Sequence, residues 1–288
     1  MFFHRAPIPA TVDVLQKYIQ LLCNSFTSVV TVRNYFSGVI TLHNLLGQPC
    51  PDPAQFCFVY LFKGASRIMA RTPQRATPLT PDVLIAIYSR LNISDPCQAA
   101  FWSALLLGFF LFLRISNLLP KSVASYNPFV HLSRSDIVLM SDQMVVRFNW
   151  TKTIQVKERE FQLNVVAMPN TPLCPLSAYK NHILLSPSSN MLPAFCYSSS
   201  TGVKVLCQNQ FITMLRCFTS DLCKGSKSYS GHSMRRGGAT LAFEAGVPSE
   251  LIKIQGDWKS SAYLSYLQPS LSKKSKTTQL MYNHLCKS

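Results

Sequence analysis

Gly231-His232-Ser233-Met234-Arg235-Arg236-Gly237-Gly238-Ala239-Thr240 leads, after a short intervening stretch, into Gly256-Asp257-Trp258-Lys259-Ser260-Ser261-Ala262-Tyr263-Leu264-Ser265-Tyr266-Leu267. Apolar residues recur at helical spacing from Ser233 to Ala245 and again from Ser249 to Ile254, which predicts two helices in this region. His232 and Arg235 stand three residues apart at the start of the first. Trp258 follows Arg235 by 23 residues, and Tyr266 follows Trp258 by 8. Taken singly, each has an ordinary use: an arginine as a cap or ion-pair partner, a tryptophan as core. Their joint order is what asks for an explanation.

Upstream, Leu111-Phe112-Leu113-Arg114-Ile115-Ser116-Asn117-Leu118-Leu119 places a lone arginine inside an apolar run, and Trp150-Thr151-Lys152-Thr153 places a lysine after a strand-like segment. Asp136 to Met140, Met144 to Trp150 and Arg159 to Ala167 alternate Val, Ile and Phe with polar residues, predicting a three-stranded antiparallel sheet with Lys152 at the turn after its second strand. Thr80 with Pro81 caps a helix through Leu91, and Asp95 opens another that runs to Leu119. Helical patterns return from Tyr179 to Leu185 and from Gln208 to Leu222. Before residue 70 the periodicity gives three helices, Thr11 to Ser25, Val29 to Leu46 and Gln55 to Met69, with Pro49, Pro51 and Pro53 breaking the pattern ahead of the third. Arg71 to Pro81, rich in arginine, proline and threonine, reads as a basic linker, so the chain divides into a helical domain, 1–72, and a mainly helical domain with one small antiparallel sheet, 73–288.

The 288 residues are 48% hydrophobic, enough for a substantial core, and carry 28 Lys and Arg against 12 Asp and Glu, a formal charge of +16. The excess is spread through the chain, 6 basic and 2 acidic groups up to residue 72 and 22 and 10 after it, so no detachable tail accounts for it. A polyanion, with nucleic acid foremost, is the expected partner. The ten cysteines form no CxxC pair and have no histidine at zinc spacing, which reads as reduced thiols in an intracellular protein and implies no metal. The most apolar segment, Phe101 to Leu113, is too short to span a bilayer and is expected as a buried core helix, with no membrane partner. Lys273, Lys274 and Lys276 read as a solvated tail.

The Gly231 to Thr240 and Gly256 to Leu267 segments resemble the C-terminal signature of the tyrosine recombinases, in which His-x-x-Arg opens a helix, a His or Trp follows about two dozen residues later and a nucleophilic tyrosine eight or nine after that. Their wording is most similar to the recombinases of DIRS-type retrotransposons and Crypton-type DNA transposons, which favour the tryptophan. The segment around Arg114 is similar to that family's first arginine box, and that around Lys152 to its hairpin lysine. The resemblance runs from about Pro78 to Leu267, while the helices before it look only loosely like a core-binding domain. It implies a two-domain DNA-breaking-rejoining fold clamping double-stranded DNA, a homo-oligomer that is a tetramer at synapsis, no cofactor, and nuclear work in a eukaryotic host.

The resemblance also implies roles. A tyrosine hydroxyl is a poor nucleophile toward a phosphodiester unless the developing charges are stabilised, and the guanidiniums of Arg114 and Arg235 suit the non-bridging oxygens. Lys152 is placed as the acid protonating the departing 5′ oxygen, His232 as an aid to proton transfer at the tyrosine, and Trp258 as an indole donor and packing face. Tyr266 has the spacing expected of the nucleophile; Tyr263, one turn earlier, and Tyr282, in a box that lacks the preceding His or Trp, are the alternatives. Many relatives carry an acidic residue three places after the first arginine, where this chain has Asn117. That departure keeps open a DNA-binding protein that no longer cuts, and a relaxing topoisomerase of the same chemistry is a more distant alternative.

Overall fold

In a computed structural model the chain divides into two compact units, Met1–Arg75 and Ala76–Ser288. The structure describes residues 8–69, 76–151, 154, 161–222 and 229–286, so the linker expected from Arg71 lies, up to residue 75, outside the described residues. The first unit holds α1 (Val12–Ser25), α2 (Val29–Leu45) and α3 (Phe56–Ile68). Leu15, Ile19 and Leu22 from α1 recur at helical spacing and meet Val32, Phe36, Phe58 and Phe62 in one core. Thr11 caps α1 by accepting from the Val14 N–H. His43, fully buried, accepts at Nε2 from the Ala10 N–H at 2.9 Å and lies 2.8 Å from the Val39 carbonyl through Nδ1, so its polar atoms are matched without water.

The second unit opens with α4 (Pro81–Tyr88), shorter than the pattern suggested, and α5 (Pro96–Phe110), capped by Asp95. Phe101, Ala104, Leu105, Leu106 and Leu107 of α5 are fully buried. A helix apolar on every side has no solvent face to keep, and α5 accordingly runs through the middle of the unit. After α6 (Ile115–Leu118) come β1 (Ile137–Leu139), β2 (Gln143–Phe148) and β3 (Phe161–Val166), an antiparallel sheet in that order. Its register pairs Val146 with Leu163, and β3 turns Phe161, Leu163 and Val165 inward with polar residues between them. The expected start of the third strand at Arg159 lies outside the described residues. The unit continues with α7 (Pro175–Leu185), a hairpin of β4 (Cys196–Ser199) and β5 (Gly202–Val205), α8 (Gln208–Phe218), α9 (Gly231–Glu244), α10 (Ser249–Gln255) and α11 (Leu271–Leu285). The helix α5 packs against α7, α9 and β4.

Two differences from the sequence expectation matter for the site. The helix expected from Asp95 to Leu119 stops at Phe110, because Phe112 adopts a left-handed conformation (φ 50°) and reverses the chain before Arg114. The Leu113 N–H returns to the Gly108 carbonyl and the Phe112 N–H to that of Phe109, the paired bonds that close a helix with a left-handed residue. The basic stretch 273–276, expected as a tail, belongs to α11, where Lys273 Nζ donates to the Glu244 carbonyl at 3.2 Å. Among the described residues no helix is long and apolar enough to cross a membrane, no group of metal-ligating side chains gathers, and the cysteines are free thiols.

Candidate active site

Arg235 lies at the centre of the cluster, and its depth follows from the glycines behind it. The Ser230 side chain caps α9, accepting from the His232 N–H, while Ser233 Oγ accepts from the Ser230 N–H. A β-carbon on Gly237 would collide with the Leu79 carbonyl, and one on Gly238 with the Phe109 carbonyl and the Phe112 ring. Two adjacent glycines therefore let α9 cross the end of α5 at backbone distance, which carries Arg235 to within hydrogen-bonding reach of the Phe112 carbonyl.

The Arg235 guanidinium is only 2% exposed. One terminal nitrogen donates to the Phe112 carbonyl and the other to the Gly256 carbonyl at 2.7 Å, so it sits where α5 and α10 end and their carbonyls point outward. The Trp258 ring covers its face at 3.8 Å. Gly256 makes room for that ring, since a β-carbon there would overlap it. The two carbonyls engage only two of the five guanidinium N–H groups, and the buried Nε has no partner among the described residues. The Trp258 indole N–H is in the same position. Unmatched buried donors beside a cation favour an anion with several oxygens.

The electrostatics agree. Burial pushes the Arg235 pKa down and the neighbouring Arg114 charge pushes it further, while Tyr266, through its hydroxyl, and Asp257 act in the opposite direction. Two like charges forced together in a dry place gain most when an anion comes between them. Arg114, half-buried, stands at the N-terminal boundary of the four-residue helix α6 rather than within a long helix. His232 has one side open to solvent, and its imidazole is held below its usual value by loss of water on the inner side, then by Arg235 and Arg114.

Three tyrosines were candidates, and the structure separates their surroundings. The half-buried Tyr266 follows a 3-10 turn, Ser261–Ser265; the Arg235 guanidinium lies 5.2 Å from its ring centre, the Trp258 ring 5.4 Å and the His232 ring 6.4 Å. Tyr263 is 7% exposed and packs on Trp258 at 6.1 Å. Tyr282 stands 61% exposed on α11. The structure thus gathers Arg114, His232, Arg235, Trp258 and Tyr266; Lys152 lies outside the described residues, one peptide bond beyond Thr151.

Sequence reasoning missed Asp257 and gave Asn117 no partner. Asp257 closes α10 in a left-handed conformation (φ 52°), with the Trp258 N–H returning to the Lys253 carbonyl and its own N–H to that of Ile254. Its buried carboxylate accepts from the Thr151 hydroxyl at 2.6 Å. Asn117 donates from its amide to the Trp150 carbonyl at 3.3 Å. The only hint of the turn was the Gly256-Asp257 pair after a helical run, since helices commonly end on glycine and this one puts aspartate at the left-handed place.

No protein-family model matches the sequence, and no curated protein is similar to it in sequence. Solved structures are similar in fold. The XerH site-specific recombinase bound to palindromic difH substrate in a post-cleavage complex is 14% identical, with a TM-score of 0.61 over 94% of this chain and 72% of that one. The Tn1549 transposon integrase in complex with circular intermediate DNA is 12% identical, with a TM-score of 0.59 over 96% and 86%. A lambda integrase dimer bound to a COC′ core site is 14% identical, with a TM-score of 0.57 over 92% and 83%. The mostly helical architecture with small antiparallel sheets is the fold of the tyrosine recombinase catalytic domain.

Proposed function

We propose that this protein cleaves and rejoins DNA strands as a tyrosine recombinase, with Tyr266 as nucleophile. The observation that carries the reading is a phenol set against a buried guanidinium with unmatched donors, beside a second arginine and a depressed imidazole. Arg114 and Arg235 hold the non-bridging oxygens of the scissile phosphate, joined by the Trp258 N–H. The Tyr266 oxygen bonds to phosphorus as its proton passes to neutral His232. The bond from phosphorus to the 5′ oxygen breaks, and that oxygen takes a proton from the Lys152 ammonium. The product is a 3′ phosphotyrosine and a free 5′ hydroxyl, and the reverse attack rejoins the strand.

The net charge of +16 supports binding by phosphate neutralisation and hence a strong salt dependence. The first unit serves in this reading as a DNA-binding domain, and four copies assemble at synapsis. The Gly256-Asp257-Trp258 wording favours a mobile-element recombinase of the DIRS or Crypton kind, which in a eukaryote works on nuclear DNA.

A nicked suicide substrate tests the reading. The expected result is a denaturant-resistant adduct between protein and DNA that forms undiminished in excess EDTA, since the arginines supply the charge that metal ions supply in other phosphoryl-transfer enzymes. Specific binding without any adduct would favour the non-cutting alternative, and loss in EDTA with rescue by magnesium would defeat the mechanism.

A pH dependence follows from His232. Only the neutral imidazole accepts a proton, and its pKa lies below 6.5, so it stays neutral into more acidic solution than an ordinary histidine. The second-order cleavage rate, which reports the free protein, should fall on the acid side along a limb centred below pH 6.5. A limb centred at or above that pH would count against His232 as the acceptor.

A further inference from the structure

We infer that Asp257 and Thr151 form a latch that ties the segment after β2, immediately ahead of Lys152 in the sequence, to the Trp258 turn, with Asn117 holding the residue before Thr151. The inference rests on the proposed role of Lys152 as the acid, but the latch itself is built from described residues. The Thr151 hydroxyl donates to Asp257 Oδ2 at 2.6 Å, and the two residues are 3% and 6% exposed. The contact joins residues 106 apart in the sequence, one three residues past the end of β2 and the other at the end of α10. The Asn117 amide, 4% exposed and three residues after Arg114, takes the Trp150 carbonyl. Trp150 and Thr151, the two residues before Lys152, are therefore each tied to an element that carries a site residue.

The chemistry of the pair suits a positioning role. A charge-assisted hydrogen bond between groups removed from water is short and directional, and a buried carboxylate is destabilised by the loss of such a donor. Asp257 also accepts a conformation that costs an ordinary side chain about 1–2 kcal/mol, where glycine would be easier. The turn alone does not call for a carboxylate; the bond to Thr151 gives it a use. Asp257 in addition adds negative potential at Arg235, and the carbonyl of the preceding Gly256 accepts from that guanidinium. One turn thus fixes Arg235 through Gly256, stacks Trp258 upon it and anchors the segment after β2 through Asp257.

The test uses two DNA substrates, one ordinary and one with sulfur in place of the bridging 5′ oxygen. A thiolate leaves with the bonding electron pair and needs no proton, so a defect confined to the acid disappears with sulfur. Thr151→Val keeps the shape and removes the hydroxyl, and Thr151→Ser restores it. Asp257→Asn keeps the shape and tolerates the left-handed conformation. Thr151→Val should slow cleavage of ordinary DNA by about 10–100-fold and Lys152→Ala by at least about 100-fold, both recovering to within about threefold of wild type on the sulfur substrate, while Asp257→Asn, which also removes negative potential from Arg235, should be slowed as Thr151→Val is and recover in part. Thr151→Ser should match wild type on both, and Arg114→Ala should recover on neither. If Lys152→Ala recovers and Thr151→Val is equally slow on both substrates, the latch is wrong and the acid assignment stands. If Lys152→Ala does not recover, the acid assignment fails and the latch with it. An unimpaired Thr151→Val, or a Thr151→Ser as slow as Thr151→Val, would also overturn the proposal; because these variants keep Asp257, misfolding of Asp257→Asn would not shield it.

Discussion

Tyr266→Phe is expected to bind duplex DNA with wild-type affinity and to form no covalent adduct on a nicked substrate, a loss of at least roughly 1,000-fold in trapping. The substitution removes only the hydroxyl. The ring remains between Trp258 at 5.4 Å and His232 at 6.4 Å, so the packing that shapes the cluster survives. Tyr263→Phe and Tyr282→Phe should trap DNA normally. Tyr263 is buried against Trp258, with the Lys253 ammonium 5.6 Å from its ring centre, and Tyr282 lies on the exposed side of α11. Trapping by Tyr266→Phe together with its loss in Tyr263→Phe would move the nucleophile one turn back along the chain. Normal trapping by all three would place it elsewhere.

Much of this arrangement was legible before any coordinates. The three helices of the first unit, the three-stranded sheet and the helices between 175 and 255 followed from periodicity, because burial of one face repeats at 3.6 or 2 residues whatever the neighbours are, whereas α11 was expected as a tail. The order His232, Arg235, Trp258, Tyr266 stood out through its spacing and Arg114 through the likeness of its segment to an arginine box, and these five gather in one cluster. What the sequence hid were conformations that run against residue preference. The helix α9 ends on Gly246 in the left-handed region, as glycine invites, but α5 and α10 end the same way on Phe112 and Asp257. Nothing in a phenylalanine or an aspartate announces that turn, so the apolar run from Phe101 was read through Arg114 as one helix. Both exceptions flank Arg235, and such strained residues persist where surrounding contacts hold them. The β4–β5 hairpin escaped notice because its strands are four residues each and β5 shows little burial pattern.

The resemblance gave Arg114 and Arg235 one shared task at the non-bridging oxygens, but their surroundings differ and predict different effects of removing each. Arg114 is half-buried, and its side chain makes no hydrogen bond or ion pair with the described residues. Arg114→Ala should therefore leave the melting temperature and DNA affinity nearly unchanged while lowering cleavage by at least about 100-fold, the signature of a group that meets charge only as it develops in the transition state. Arg235 is a structural pin as well: without it the carbonyls of Phe112 and Gly256 lose a donor and Trp258 loses the cation beneath its ring. A buried acceptor left unmatched costs about 1–3 kcal/mol, so Arg235→Ala should unfold several degrees earlier and bind DNA less well, mixing two effects. Arg235→Lys separates them. The ammonium keeps the charge but is a single point that cannot serve both carbonyls and a phosphate in one plane, so the melting temperature should fall less than in Arg235→Ala while cleavage still drops by about 100-fold or more. Wild-type cleavage by Arg235→Lys would show that charge alone suffices and that the forked geometry, which sets Arg235 between two helix ends, has no part in the chemistry.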